Sequence, residues 1–204
     1  MAITKLSNSG IATGGVLKYD SMLAGNAAYV PPGDYDFIAT STLGSSASTI
    51  TFTALPQTYR RLQIRCHLIP TTNVASASLY FNNDLTSSNY GAGEAYAVWN
   101  GSAYGNVGIA YANSFPFLGT SQGLYTTYGG VSVVDIEQYT NTSAYTTYNA
   151  FSGFTYTTAA SFKSEVGRYY GIWKDTSAVT RLDFTLNTGQ YAAGSYISIY
   201  GVKG

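Results

Sequence analysis

The stretch Arg61-Leu62-Gln63-Ile64-Arg65-Cys66-His67-Leu68 alternates without a break. Leu62, Ile64, Cys66 and Leu68 fall on one side, and Arg61, Gln63, Arg65 and His67 on the other. Successive side chains of a strand point to opposite faces, so this is a β-strand with one face in a core and one facing out. The same period appears in Thr49-Ile50-Thr51-Phe52-Thr53. It appears again in Ala77, Leu79 and Phe81 against Ser76, Ser78 and Tyr80. It returns in Leu182, Phe184 and Leu186 against Arg181, Asp183 and Thr185, and in Ile197 and Ile199 against Tyr196, Ser198 and Tyr200. Half-buried antiparallel strands read this way, and a slip of one residue would turn each apolar set out of the core.

Further along, Val131–Ile136, Ala144–Phe154 and Val166–Lys174 also read as strands. Between Ser87 and Tyr128 the chain is dense in Gly, Asn, Ser and Tyr, which predicts long loops with one short strand near Val107–Tyr111. No segment carries an apolar stripe at helical spacing. Many short strands separated by turn residues predict an all-β, antiparallel β-sandwich of jelly-roll-like form. Gly201, inside the last strand, predicts a bulge or a close approach there, and that strand is apolar enough to sit inside a sheet. Tyr-Thr-Thr-Tyr occurs at 125–128 and 145–148 without a fixed period, which marks biased composition rather than a repeat architecture.

Residues 1–36 differ from the rest and are read as an N-terminal attachment arm, with 37–204 as the β-sandwich domain. The arm is rich in breakers, with Ser7-Asn8-Ser9-Gly10 and Thr13-Gly14-Gly15, and it closes on the stiff Pro31-Pro32-Gly33-Asp34. Its apolar residues Val16, Leu17, Tyr19, Met22, Leu23 and Tyr29 suit a segment that orders on a neighbour.

Ten basic and ten acidic residues among 204 give no net charge, and charged residues make up only 10%. Soluble domains average about 25%, and a chain near zero net charge tends to self-associate, so much of this surface is expected to lie within an assembly. The missing basic excess argues against nucleic acid as a partner. No apolar run is long enough for membrane insertion by a helix. Met1-Ala2-Ile3-Thr4-Lys5-Leu6 lacks the apolar core of a signal peptide, which predicts a protein made in the cytoplasm. Twenty tyrosines, against nine Phe and two Trp, suit half-buried sheets and wet contact surfaces.

Catalytic chemistry has little to work with. His67 is the sole histidine and lies on the polar side of its strand, and no Gly-x-Ser-x-Gly elbow is present. Cys66 is the sole cysteine and falls on the apolar side, as a buried inert thiol would. One His and one Cys leave no zinc-ligand spacing. Asp34 with Asp36, and Asn82-Asn83-Asp84, offer oxygen atoms that suit either a calcium ion or a turn. Glu94, Asp135, Glu137 and Glu165 are too scattered along the chain to predict a glycosidase pair. These readings predict no enzyme, no cofactor and no metal. Arg60, Arg61 and Arg65 form the one basic cluster, suited either to inter-subunit ion pairs or to a solvated strand face. Tyr90, Tyr96, Trp99, Tyr104, Tyr111, Tyr125 and Tyr128, set among Asn, Ser and Gly, suit contact with glycan or with another subunit.

Three segments carry a family likeness. They are Ile11-Ala12-Thr13-Gly14-Gly15-Val16-Leu17-Lys18-Tyr19-Asp20-Ser21-Met22-Leu23-Ala24-Gly25, Ile50-Thr51-Phe52-Thr53-Ala54-Leu55-Pro56-Gln57-Thr58-Tyr59-Arg60-Arg61-Leu62, and Tyr196-Ile197-Ser198-Ile199-Tyr200-Gly201-Val202-Lys203. A strand, a Leu-Pro-Gln-Thr-Tyr turn, a long strand and an aromatic–Gly–aliphatic–Lys ending resemble small bacteriophage virion structural proteins: fibre, tail-tip or capsid-decoration subunits with jelly-roll-like domains. The resemblance implies a tailed-phage virion component, a homotrimer that docks by its N-terminal arm onto tail, portal or capsid. It implies a β-domain projected for assembly or for contact with host surface glycan. A short fibre subunit is the first expectation, with a capsid decoration protein and a lectin-like carbohydrate-binding module as alternatives. No catalytic residue carries over.

Overall fold

Leu62, Ile64, Cys66 and Leu68 are all buried, and Arg65 between them is exposed. The central alternation is thus realised, with Gln63 on the outward side covered as well. The computed structural model describes residues 34–73, 75–99, 104–111, 123–158 and 161–203. Among these, the strands in chain order are β1 (Tyr35–Thr42), β2 (Thr49–Phe52), β3 (Arg61–Leu68), β4 (Ala77–Phe81), β5 (Tyr90–Trp99), β6 (Tyr104–Tyr111), β7 (Gly130–Glu137), β8 (Thr146–Thr158), β9 (Ser161–Trp173), β10 (Leu182–Leu186) and β11 (Tyr196–Val202). One 3-10 turn, Ser87–Asn89, is the described helical element.

The strands form two antiparallel sheets. The larger has the order β1-β11-β3-β7-β8-β9-β5-β6, and the smaller the order β2-β10-β4. From β1 to β4, and again from β9 to β11, each strand leaves one sheet for the other. That wrapping is the jelly-roll habit, and it makes the protein an all-β sandwich. β7, β8 and β9 break the habit and run as a meander that widens the larger sheet. β1 opens at Tyr35, inside the segment read as the arm. Val16, Leu17, Tyr19, Met22, Leu23 and Tyr29 lie outside the described residues.

The core lies between the two sheets. Ile50 and Phe52 of β2, Leu79 and Phe81 of β4 and Leu182 and Phe184 of β10 meet the inward residues of β3, β7, β8, β9 and β11. Phe52 and Phe184 stand edge to face at 6.0 Å, and Phe81 packs on Tyr90 and Trp173 at 6.2 and 5.7 Å. Such aromatic pairs add about 0.5–1.5 kcal/mol each beyond area burial.

Within Ser87–Tyr128 the expected strand near Val107–Tyr111 lies in the eight-residue β6, and the ten-residue β5 corrects the reading of its own stretch as loop. Gly91, Gly93, Gly105 and Gly108 sit within paired strands there. Their density suggested loops, yet tyrosine rings lie over several strand glycines of this protein. Tyr170 covers Gly93, Tyr169 covers Gly167, Tyr148 covers Gly171 and Tyr59 covers Gly201. A ring laid across a glycine fills the groove that a missing side chain leaves and shields the backbone. Gly201 is therefore a place of close approach, while the register shift falls in β1, between Phe37 and Ala39. β11 pairs on both sides, with β1 and β3, as an apolar strand requires.

Candidate interaction face

The outward side of the larger sheet is where the protein departs from the usual antiparallel pattern. Its rows follow from the register. One row runs Ser198, Arg65, Val133, Phe151, Arg168, Ala95, and the next runs Tyr196, His67, Val131, Gly153, Val166, Ala97. A third runs Tyr200, Gln63, Asp135, Asn149, Tyr170, Gly93. A solvated face should be polar. Here Phe151 is 61% exposed and Val131 55%, with Val133, Val166 and Tyr170 also exposed around them. Shallow hollows surround the protruding Phe151: about 400 Å³ beside Val133, Asp135, Asn149 and Arg168, and about 380 Å³ beside Ala95, Ala97, Val166 and Arg168. A third, of about 240 Å³, lies between Phe151, Val131, Val133, Arg65 and Tyr196. The largest, about 440 Å³, is lined by His67, Tyr128, Val131, Thr155, Ser164 and Val166 among others.

Charges ring this apolar patch. Arg65 lies over the Tyr200 ring at 5.1 Å and the Tyr35 ring at 5.7 Å, and its Nε donates to Gln63. Arg168 Nε donates to Asn149, and Gln63 Nε2 donates to Asp135. Arg61 pairs with Glu137 at 3.2 Å. The hydrogen bonds of Arg65, Arg168 and Asp135 go to neutral amides, with Gln63 bridging Arg65 to Asp135, and Asp135 also feels the charge of Arg61. An apolar centre with a polar, charged rim is the anatomy of a protein contact surface.

The sequence-predicted residues distribute unevenly about this face. Of the arginine cluster, Arg65 stands on it, while Arg61 is paired within the chain to Glu137. Arg60 is exposed beside the end of β11, where its N–H donates to the Val202 carbonyl. Tyr128 is exposed at the rim of the largest hollow. Tyr90 is a correction: it is fully buried, its hydroxyl donates to the Asp84 carbonyl, and it is a core residue rather than a contact. Tyr125 is half-buried and stacked on Phe154 at 6.1 Å. Tyr96 and Trp99 are half-buried in β5, and Tyr104 and Tyr111 mark the two ends of β6, paired with Trp99 and Ala92.

The other candidate groups are spread over several elements. The His67 imidazole donates through Nε2 to the Tyr128 carbonyl at 3.2 Å, the direction a carbonyl acceptor requires. Glu94 and Glu165 are buried on the inner face, with Glu165 accepting from the Tyr169 hydroxyl, whereas Asp135 and Glu137 belong to the outer face. Asp36 pairs with Lys203 at 2.7 Å. Asn82 and Asn83 are both left-handed, and the Asp84 N–H donates to the Phe81 carbonyl, a two-residue turn of the kind Asn favours. Among the described residues no group of three or more His, Cys, Asp or Glu could hold a metal ion. No known protein family, curated protein or solved structure matches the chain.

Cys66 is fully buried, and burial pushes its thiol up to about 12, against a smaller downward pull from hydrogen bonding with the side chain and then the backbone of Ser132. A thiol needs its thiolate to react. The native protein is expected to resist an aromatic disulfide reagent at pH 8 and to react with one equivalent in denaturant; prompt native reaction would place Cys66 outside the core.

Phe151, Val131, Val133, Val166 and Tyr170 are the residues that sequence reasoning missed. The signal was present in Val131-Ser132-Val133-Val134-Asp135-Ile136, where each alternate set is apolar at two of its three positions. In an antiparallel sheet, a strand apolar on both sides announces a second covered face.

Proposed function

We propose that this protein is a structural subunit of a tailed-phage virion, which docks by its N-terminal arm and projects the β-sandwich for assembly or host-surface contact. The observation that carries this reading is the exposed Val/Phe/Tyr face on a sandwich of very low charge. Monomers rarely leave such a patch open. The resemblance of the arm, the Leu-Pro-Gln-Thr-Tyr turn and the last strand to phage structural proteins supplies the setting: made in the host cytoplasm and carried in the virion. The protein acts by contact and not by catalysis. In support, its four candidate acids are split between opposite faces of a sheet, and its thiol is buried. A short fibre subunit and a capsid decoration protein both use an arm and a projecting domain. The hollow that combines Tyr128 with His67, Thr155 and Ser164 favours glycan as a second class of partner.

The test is incorporation. A chain lacking residues 1–30 keeps every described core residue. It is expected to give the β-type circular dichroism of the full chain and to be missing from purified particles. Incorporation at the full-chain level would overturn the arm's role in docking.

A further inference from the structure

We infer that the outward face of the larger sheet, centred on Phe151, is the surface on which a second copy of this chain docks. This deepens the assembly reading above and rests on it. Three observations select a second copy over other occupants. First, the face carries its own knob and its own hollows. Phe151 stands proud, and hollows of about 380 and 400 Å³ flank it, so an identical face brings a Phe151 to fill one of them. Self-complementarity of this kind is what contacts between identical subunits require. Second, the face carries charges of both signs in adjacent rows. Arg65 and Arg168 share the Phe151 row, and Asp135 stands in the next. Two identical faces offset by one row, roughly 7 Å along the strands, and by one or two strands across them set acid against base. A strongly acidic or basic partner would leave one sign unmatched. Third, the size suits. Aromatic side chains offer about 150–250 Å² each, so the exposed parts of Phe151, Tyr170, Tyr196 and Phe37 come to roughly 400 Å² before the valines are added. That is about half of the roughly 800 Å² per partner of a standard interface, with the valines and the rest of the rows still to be added. Exposed aliphatic residues also favour protein over sugar, because Val131, Val133 and Val166 offer neither a ring nor a hydrogen bond.

The experiment is mass measurement by size exclusion with light scattering on the full-length chain, from about 1 to 50 µM. The wild type is expected to elute as a multimer. Phe151→Asp is expected to shift to the mass of one chain, 21.7 kDa, with unchanged circular dichroism. Val131→Lys, at another exposed position on the face, should give the same shift should Phe151→Asp fail to fold. Leu85→Asp, exposed in the turn after β4 and off the face, should leave the multimer intact. The inference is overturned by a monomeric wild type, by a multimer that survives both face variants, or by a multimer that only deletion of residues 1–33 dissolves. It is equally overturned by a monomer whose face binds bacterial surface oligosaccharide and loses it in Phe151→Asp. None of these outcomes touches the virion reading, which stands or falls on particle incorporation.

Discussion

Gly171→Val is expected to leave little soluble protein, and what remains should melt roughly 10 °C below the wild type. Gly171 lies in β9 opposite Ala92 of β5 and Tyr148 of β8. A Cβ at this position would run into the Gly91 carbonyl oxygen and the Tyr148 ring. The Gly91 oxygen belongs to backbone held by the β5–β9 ladder, so it cannot swing aside as the tip of a long side chain would. Overpacking costs about 1–3 kcal/mol where neighbours can adjust. Here the upper end applies, about 3 kcal/mol of a total near 5–15. For a chain of this size that converts at roughly 2–4 °C per kcal/mol. Gly44→Ala is the control, because a Cβ there meets nothing within 4 Å. It should fall within about 0.5 kcal/mol of the wild type. Equal melting temperatures for the two variants would refute the tyrosine-over-glycine packing that joins β8, β9 and β5.

Asp84→Ala should cost about 3 kcal/mol, although Asp84 sits in a turn. Its carboxylate accepts from Trp173 Nε1 at 2.8 Å, from Asn89 Nδ2 at 2.9 Å and from the Thr86 N–H at 2.9 Å. Trp173 is buried against Phe81, so deletion of the acceptor strands an indole N–H inside the core. A stranded buried donor costs about 1–3 kcal/mol, and hydrogen bonds to a charged group contribute about 1.5–3 kcal/mol. Asp84→Asn keeps one acceptor oxygen and should lose less. The pH dependence has a definite sign. Burial pushes the Asp84 carboxyl upward, but the hydrogen bonds from Trp173, Asn89 and Thr86 together outweigh it and hold the group below its ordinary 3.8. Folding therefore favours the ionised form, so its contribution is full above the ordinary carboxylate range and fades as pH falls through the lower folded value. Urea unfolding at pH 7 and at pH 3 should show a wide gap between wild type and Asp84→Ala at pH 7 and a narrower one at pH 3. A gap that widens in acid would mean that the ionised carboxylate is not the stabilising form.

The alternation from Arg61 to Leu68 could be read because burial on one face writes itself into every second residue, and β2, β4, β10 and β11 were legible for the same reason. β5 and the start of β6 were not. Their glycines and tyrosines look like loop residues until it is seen that a ring from one strand lies over a glycine of the next, a pairing between residues far apart in the chain, as with Tyr170 and Gly93 or Tyr148 and Gly171. Tyr90 was misplaced for a related cause: its hydroxyl suggests a wet surface, and the Asp84 carbonyl, the Phe81 N–H and the Phe81 ring, all brought by folding, offset its burial.

By itself, then, the sequence determined the class of fold, the inward residues of its clearest strands and the inert burial of Cys66, since each follows from local period and side-chain chemistry. Only the tertiary structure decided which strands are neighbours, and hence that Val131, Val133, Phe151 and Val166, drawn from three strands, join into one exposed face. A patch of that kind is a property of register between strands. Register is set by hydrogen bonds across the sheet, and these link residues that the linear order keeps apart.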